Sequence, residues 1–182
     1  MAMEDAELPL RDLDQRHRGL TPSLAKSLLE AARVCLDRHH TPPVSFDIQD
    51  GQSTRQAKVD WEVTDRRTRD AWANEVDTTE AGAYPCAIAA TELTRGLFAI
   101  RRAETLTGAD YYVGPAGQDP NDLEGCLRLE VSGTNSTSQS EVNSRLRTKL
   151  NQVAAGRSNL PALAAVVGFG CQVIRVAVLE LQ

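Results

Sequence analysis

Along the stretch Cys126–Gly133 (CLRLEVSG), apolar and polar side chains alternate without a break. Successive residues of a strand point to opposite sides. Leu127, Leu129 and Val131 therefore share one face, and Arg128, Glu130 and Ser132 share the other. A carboxylate in the middle of a strand loses hydration unless it meets water, a cation or a metal. Upstream, across a polar loop rich in Gly and Pro, Gly108–Val113 (GADYYV) reads as a partner strand with Asp110 at its heart. Side by side, such strands can present Asp110 and Glu130 to a shared divalent ion. The plainer reading leaves Glu130 facing solvent, paired with Arg128 or Arg101.

The surrounding chain alternates helices and strands. Residues 1–20 are charged and without periodicity, and read as a flexible arm. Thr21-Pro22 has the form of an N-cap followed by proline at the first helical position, opening a helix to about His39. Its apolar stripe is Leu24, Leu28, Leu29, Ala32 and Cys35 or Leu36. Val44–Ile48 and Gln56–Val63 read as strands of a hairpin turning at Asp50-Gly51. Thr64 or Asp65 caps a short helical stretch. Asp77-Thr78-Thr79 caps a further helix over Glu80–Arg95, closed by Gly96, with a kink or a late start at Pro85. Leu97–Ala103 is a strand. After the Ser/Thr-rich loop 132–140, Ser138-x-x-Glu141 matches a capping box. The helix it opens carries Val142, Leu146, Leu150 and Val153 on one face and ends at Gly156. Ala162–Phe169 and Gln172–Leu181 are apolar strands reversing at Gly168-Phe169-Gly170. His39-His40 reads as a helix end rather than a metal pair, and Trp61 and Trp72 as cover between the N-terminal elements and the core.

Composition sets limits on function. With 182 residues, 41% hydrophobic and 25% charged, the chain suits a single domain, 1–182. Residues 21–77 form an N-terminal addition to a core over 78–182. A net charge of −5 disfavours a surface that grips nucleic acid all over, though not a local basic groove. Cys35, Cys86, Cys126 and Cys171 are scattered, and no charged-then-apolar leader opens the chain, so a reducing cytoplasmic setting is expected. No apolar run approaches the roughly 18 residues of a membrane helix, so no membrane is expected. Neither G-x-x-x-x-G-K-[ST] nor G-x-G-x-x-G occurs, so no nucleotide cofactor is expected.

From Glu80 onward the order is helix, strand, strand with Asp110, strand with Glu130, helix, strand, strand. That order resembles the α-β-β-β-α-β core of the PD-(D/E)xK nuclease superfamily. The resemblance implies a restriction-endonuclease-like α/β (α+β) fold, with a central mixed sheet flanked by helices. It implies magnesium, with manganese as substitute, held by Asp110 and Glu130. Ser132 stands where the lysine of the family's E-x-K belongs. Either the lysine function has moved or the site is dead; the best replacement is Lys149, since Arg145, Lys149 and Gln152 lie at i, i+4 and i+7 on the helix that follows, which the resemblance implies lies over the active-site side. Glu80 is a candidate third metal carboxylate, with Glu92 competing for that role.

Two functions follow from the resemblance. The first is a magnesium-dependent endonuclease hydrolysing DNA phosphodiesters, in the setting of bacterial genome defence, repair or mobile elements. Asp110, Glu130 and Lys149 would be catalytic, and Ser132, Arg145 and Gln152 secondary. The second is an inactive nuclease-fold subunit joined to a protein partner or a second copy of itself.

Overall fold

The computed structural model describes residues 6–179. In chain order these form β1 (Ala6–Glu7), α1 (Leu13–Arg16), α2 (Pro22–Asp37), β2 (Val44–Asp50), β3 (Ser53–Val59), α3 (Arg66–Ala71) and α4 (Glu75–Arg95). There follow β4 (Phe98–Arg102), β5 (Tyr111–Gly114), β6 (Leu127–Thr134), α5 (Gln139–Ala155), β7 (Ala162–Gly168) and β8 (Val173–Val178). The strands make one eight-stranded mixed sheet in the order β1-β3-β2-β8-β7-β6-β5-β4. This is the helix-flanked α+β architecture expected from the element pattern. Strands β4, β5 and β6 are successively antiparallel, and β7 returns parallel to β6 after crossing over through α5.

Alternation along the strands decides which helix covers which face. Leu129, Val131, Leu163, Ala165, Val167, Ile174 and Val176 are buried together with α2 and α4. Ala164, Val166 and Val173 point the other way, onto Val142 and Leu146 of α5. The sides of β6 are those read from the sequence. All seven residues of β7 are buried, as a strand covered on both faces requires. No helix among the described residues is long and apolar enough to cross a membrane.

Several local expectations hold. Thr21 caps α2, its hydroxyl accepting from the Leu24 N–H at 3.2 Å, with Pro22 at the first turn. Asp65 caps α3, and Gly96 closes α4. Trp61 and Trp72 donate their indole N–H groups to Asp37 and Glu30, tying the N-terminal segments to α2. Other readings are corrected. Leu24 is exposed, so the buried stripe of α2 runs instead through Ala25, Leu28, Ala31, Ala32, Cys35 and Leu36. Helix α4 begins at Glu75 because the Asn74 side chain accepts from the Val76 and Asp77 N–H groups. Thr78 and Thr79 lie inside the helix, bonding back to the carbonyls of Asn74 and Glu75, and the helix runs through Pro85. The capping box at Ser138 does not form. Glu141 instead accepts from the Thr134 hydroxyl at 3.0 Å, and Ser138 meets Ser140. The end assigned to the last strand, Leu181, lies outside the described residues.

The flexible arm is the largest correction. From Ala6 the segment is folded: β1 runs parallel to β3, and Leu8, Leu10, Leu13 and Leu20 are buried. His17 is 0% exposed. Its Nε2 meets the Glu92 carboxylate at 2.7 Å, and its Nδ1 accepts the Ala99 N–H at 3.0 Å. Arg16 reaches the other oxygen of Glu92 at 2.8 Å. The apolar residues of this segment fit neither a helical nor a strand period, because most of it is an irregular strap.

Candidate active site

The site lies where β6 outruns β5. Pairing between them ends with Tyr111 opposite Leu129, which leaves the next stretch of β6 without a strand on that side. The Asp110 side chain takes the place of the missing strand. Its Oδ2 accepts the Val131 N–H at 2.9 Å, while its own N–H bonds to the Leu129 carbonyl at 2.8 Å. The other oxygen, Oδ1, accepts from the Tyr84 hydroxyl at 2.8 Å and from Arg102 Nη2 at 3.3 Å. The Arg102 guanidinium sits 4.8 Å from the ring centre of Tyr84 and 4.9 Å from that of Tyr111. Burial, reinforced by the Asp110 charge, pushes the Tyr84 phenol well above its ordinary range and keeps it a donor.

One residue into the open edge, Glu130 is only 3% exposed. Its Oε1 accepts from Lys149 Nζ at 2.6 Å and from Gln152 Nε2 at 2.8 Å, and Lys149 also donates to Gln152 Oε1 at 3.1 Å. Burial raises the Glu130 carboxyl from 4.5 to about 7, against the hydrogen bond from Lys149 and with the added repulsion of Asp110. Asp110 and Glu130 therefore feel each other directly, although Asp110, read as the heart of its strand, stands just before β5, and the alternative pairing of Glu130 with Arg128 or Arg101 is not formed. Lys149 arrives one helical turn before Gln152 on α5, so the spacing read from the sequence brings both to the same carboxylate.

These groups line a polar cleft of about 480 Å³ whose walls include Glu80, Tyr84, Arg102, Asp110, Glu130, Lys149 and Gln152. A second cleft of about 450 Å³ follows the open edge of β6 past Ser132, Asn135 and Arg145, and shares Glu80, Val131 and Lys149 with the first. Apart from Glu92, every site residue named from the sequence thus lines one or both clefts. Within them the roles differ. Arg145 bonds to Glu141 at 3.1 Å. Ser132 lies on the edge beside Glu130 and makes no hydrogen bond through its side chain among the described residues. Glu92 belongs elsewhere, engaged with Arg16 and His17. His39 and His40 bond separately to Asn135 and the Phe169 carbonyl, as befits a helix end. A larger cavity, about 630 Å³ between α2 and Trp61, shares no residue with the acid pair, so its size carries no chemical weight.

Sequence reasoning missed three members. Tyr84 stands four residues after Glu80 on α4, a spacing that places both on one helix face. Arg102 closes β4 beside the acid. Arg128 is 3% exposed and has no carboxylate partner among the described residues. Its Nη1 donates to the Thr107 carbonyl at 2.6 Å and the Val153 carbonyl at 3.0 Å, and its Nε to the Leu160 carbonyl at 3.1 Å. It therefore ties the loop that delivers Asp110 to the C-terminal end of the helix that delivers Lys149. The same junction is close-packed: a Cβ on Gly156 would lie 2.0 Å from the Thr107 carbonyl oxygen. Gly108, at φ 69°, would put a Cβ 2.8 Å from the Gln152 carbonyl oxygen.

As a donor set, Asp110 and Glu130 supply hard oxygens from a rigid base, and Glu130 Oε2 makes no hydrogen bond among the described residues. Magnesium characteristically takes one or two carboxylates and keeps several waters. Two carboxylates meet that number, while the oxygens of Asp110 already accept from Val131, Tyr84 and Arg102. Among the described residues no group of three or more His, Cys, Asp or Glu converges, so Glu80 lines the cleft without completing a three-acid cage. No family model, curated protein or solved structure matches the chain.

Proposed function

We propose that this protein is a magnesium-dependent phosphodiester hydrolase acting on DNA, of the PD-(D/E)xK type with its lysine relocated to the following helix. The observation that carries this reading is the convergence of Lys149 Nζ on Glu130, at 2.6 Å, beside Asp110 in a polar cleft. The succession α4-β4-β5-β6-α5-β7, with β6 and β7 parallel, supports it. When bound, magnesium lowers the pKa of coordinated water and offsets charge on the phosphate. Asp110 and Glu130 would hold it, with Glu80 near enough to the cleft to order its waters. Tyr84 and Arg102 fix the orientation of Asp110, and Gln152 fixes that of Glu130. Lys149, as an ammonium, orients the attacking water and counters the charge that builds on the phosphate oxygens. Ser132 and Arg145 border the path of the substrate along the edge of β6.

Supercoiled plasmid incubated with magnesium or manganese should be nicked. Glu130→Gln and Lys149→Met should each lower the rate by at least about 100-fold, the scale of losing one group positioned at developing charge. Wild-type protein that is inert with both metals, and binds neither by calorimetry, would end this reading. The competing role as a non-catalytic subunit draws on one feature: the acids already carry internal counter-ions, Lys149 and Arg102. It calls for a stable protein partner, and for full function of Asp110→Ala in that assembly.

A further inference from the structure

The cleft holds a cation whose placement the acid pair alone does not explain. Arg102 contacts Asp110 through a single nitrogen at 3.3 Å, and the same Nη2 donates to the Tyr84 hydroxyl at 3.2 Å. Its Nε and Nη1 make no hydrogen bond among the described residues. A guanidinium serving only to neutralise a carboxylate favours a forked contact through two nitrogens. Arg102 has the opposite arrangement: one nitrogen is anchored and the rest of the fork is free. Its side chain is 54% exposed, yet the rings of Tyr84 and Tyr111 hold the guanidinium at 4.8 and 4.9 Å. Position is fixed without consuming donors.

The neighbouring cations are spent differently. Arg101 is committed to the Pro120 carbonyl and to Glu104. Lys149 is committed to Glu130 and Gln152. Within the acid-pair cleft, Arg102 is thus the lining cation with an open fork, and it sits across the acids from Lys149.

We infer that Arg102 is the anchor for a substrate phosphate, its free Nε and Nη1 edge receiving the non-bridging oxygens of a phosphodiester beside the acid pair. The fork matches two such oxygens, and the aromatic cage lowers the entropy lost on binding. This inference rests on the phosphodiester reading of the cleft and names the contact through which the strand is gripped. Tyr84 acquires a second role as one wall of that cage.

The test separates grip from chemistry by working in EDTA. A fluorescent single-stranded DNA oligonucleotide is titrated by anisotropy, at several salt concentrations, with wild type, Arg102→Ala, Arg102→Gln, Arg102→Lys and, as a charge control, Arg147→Ala. Arg147 is exposed on α5 and lines neither cleft. Arg102→Ala and Arg102→Gln should each weaken binding about tenfold or more. Each should also flatten the salt dependence by about 0.7 in log–log slope, the share of one phosphate on a single strand. Arg102→Lys should restore little, since an ammonium offers no fork. Arg147→Ala should stay within about twofold of wild type, an exposed charge counting for little. Unfolding midpoints certify that each variant is folded, and Arg102→Gln serves should Arg102→Ala fail to fold. The inference is overturned if the Arg102 variants bind like wild type, if Arg147→Ala matches them, or if wild type binds no oligonucleotide at low salt. A protein that cuts no plasmid yet shows the Arg102 dependence would lose the hydrolase reading and keep the phosphate anchor. One that cuts normally, with binding indifferent to Arg102, would do the reverse.

Discussion

Glu130 is a carboxyl group whose environment works against its charge. Its ionisation is displaced from 4.5 to about 7, first by burial and then by Asp110. A folded-state value above the unfolded one means that the folded chain binds the extra proton between those limits. The stabilisation is therefore full below about pH 4.5 and is lost as pH rises through 7. Urea unfolding of wild type should weaken relative to Glu130→Gln across that window, and magnesium should reverse the trend if it binds the ionised pair. A flat difference between the two proteins would show that Glu130 is not raised. The alternation in Cys126–Gly133 was enough to place Glu130 on the polar face, and helical spacing to put Lys149 and Gln152 on one side of their helix; that this side meets Glu130 is set by how α5 packs on the sheet. The partners of Asp110 were illegible for a different reason. Tyr84 and Arg102 come from a helix and a strand whose juxtaposition depends on the whole sheet, and no local pattern encodes it.

At the scale of elements, the site depends on how closely the β4–β5 loop sits on the end of α5. Gly156→Ala would drive a methyl group into the Thr107 carbonyl, and neither neighbour is a flexible side chain that could yield. It should cost about 1–3 kcal/mol in urea unfolding, the range for overpacking. It should also displace Asp110 relative to Lys149, so that plasmid nicking falls by more than the stability loss explains. Arg128→Met addresses the same junction by leaving the Thr107 and Leu160 carbonyls unpaired, while the Val153 carbonyl keeps the Gly156 N–H. A loss of about 3 kcal/mol is expected, at the 1–3 kcal/mol scale of an orphaned buried acceptor. The helices and strands themselves were legible from capping residues and periodicity. The start of α4 was not, because the Asn74 cap competed with a second plausible cap at Asp77-Thr78-Thr79 and prevailed through two backbone N–H bonds. The N-terminal strap was missed altogether, since an irregular segment held by scattered leucines has no period to detect.

For the whole molecule, that strap is fastened by a histidine that the fold keeps neutral. Burial holds His17 below its ordinary 6.5, and the hydrogen bond and charge of Glu92 offset this only in part, with Arg16 adding to the lowering. A depressed value means that the contribution to stability is present above 6.5 and is lost as pH falls through the folded value. Protonation would also place a hydrogen on Nδ1, against the Ala99 N–H that it now accepts. Hydrogen-exchange protection at Ala99 and Leu8 should therefore drop on acidification while β7 stays protected; uniform loss across the sheet would refute a local fastening. The order of the sheet has a further consequence. Strand β8 is synthesised after every other described strand, yet it is inserted between β2 and β7, with Asp47 beside Val173. During translation the β2–β3 hairpin emerges early and must keep one side open while more than a hundred residues are added, which takes several seconds at ribosomal speed. Nascent chains of this protein are thus exposed to edge-to-edge mispairing until the keystone strand arrives, and a stop codon before Val173 would leave two half-sheets with no strand to pair them.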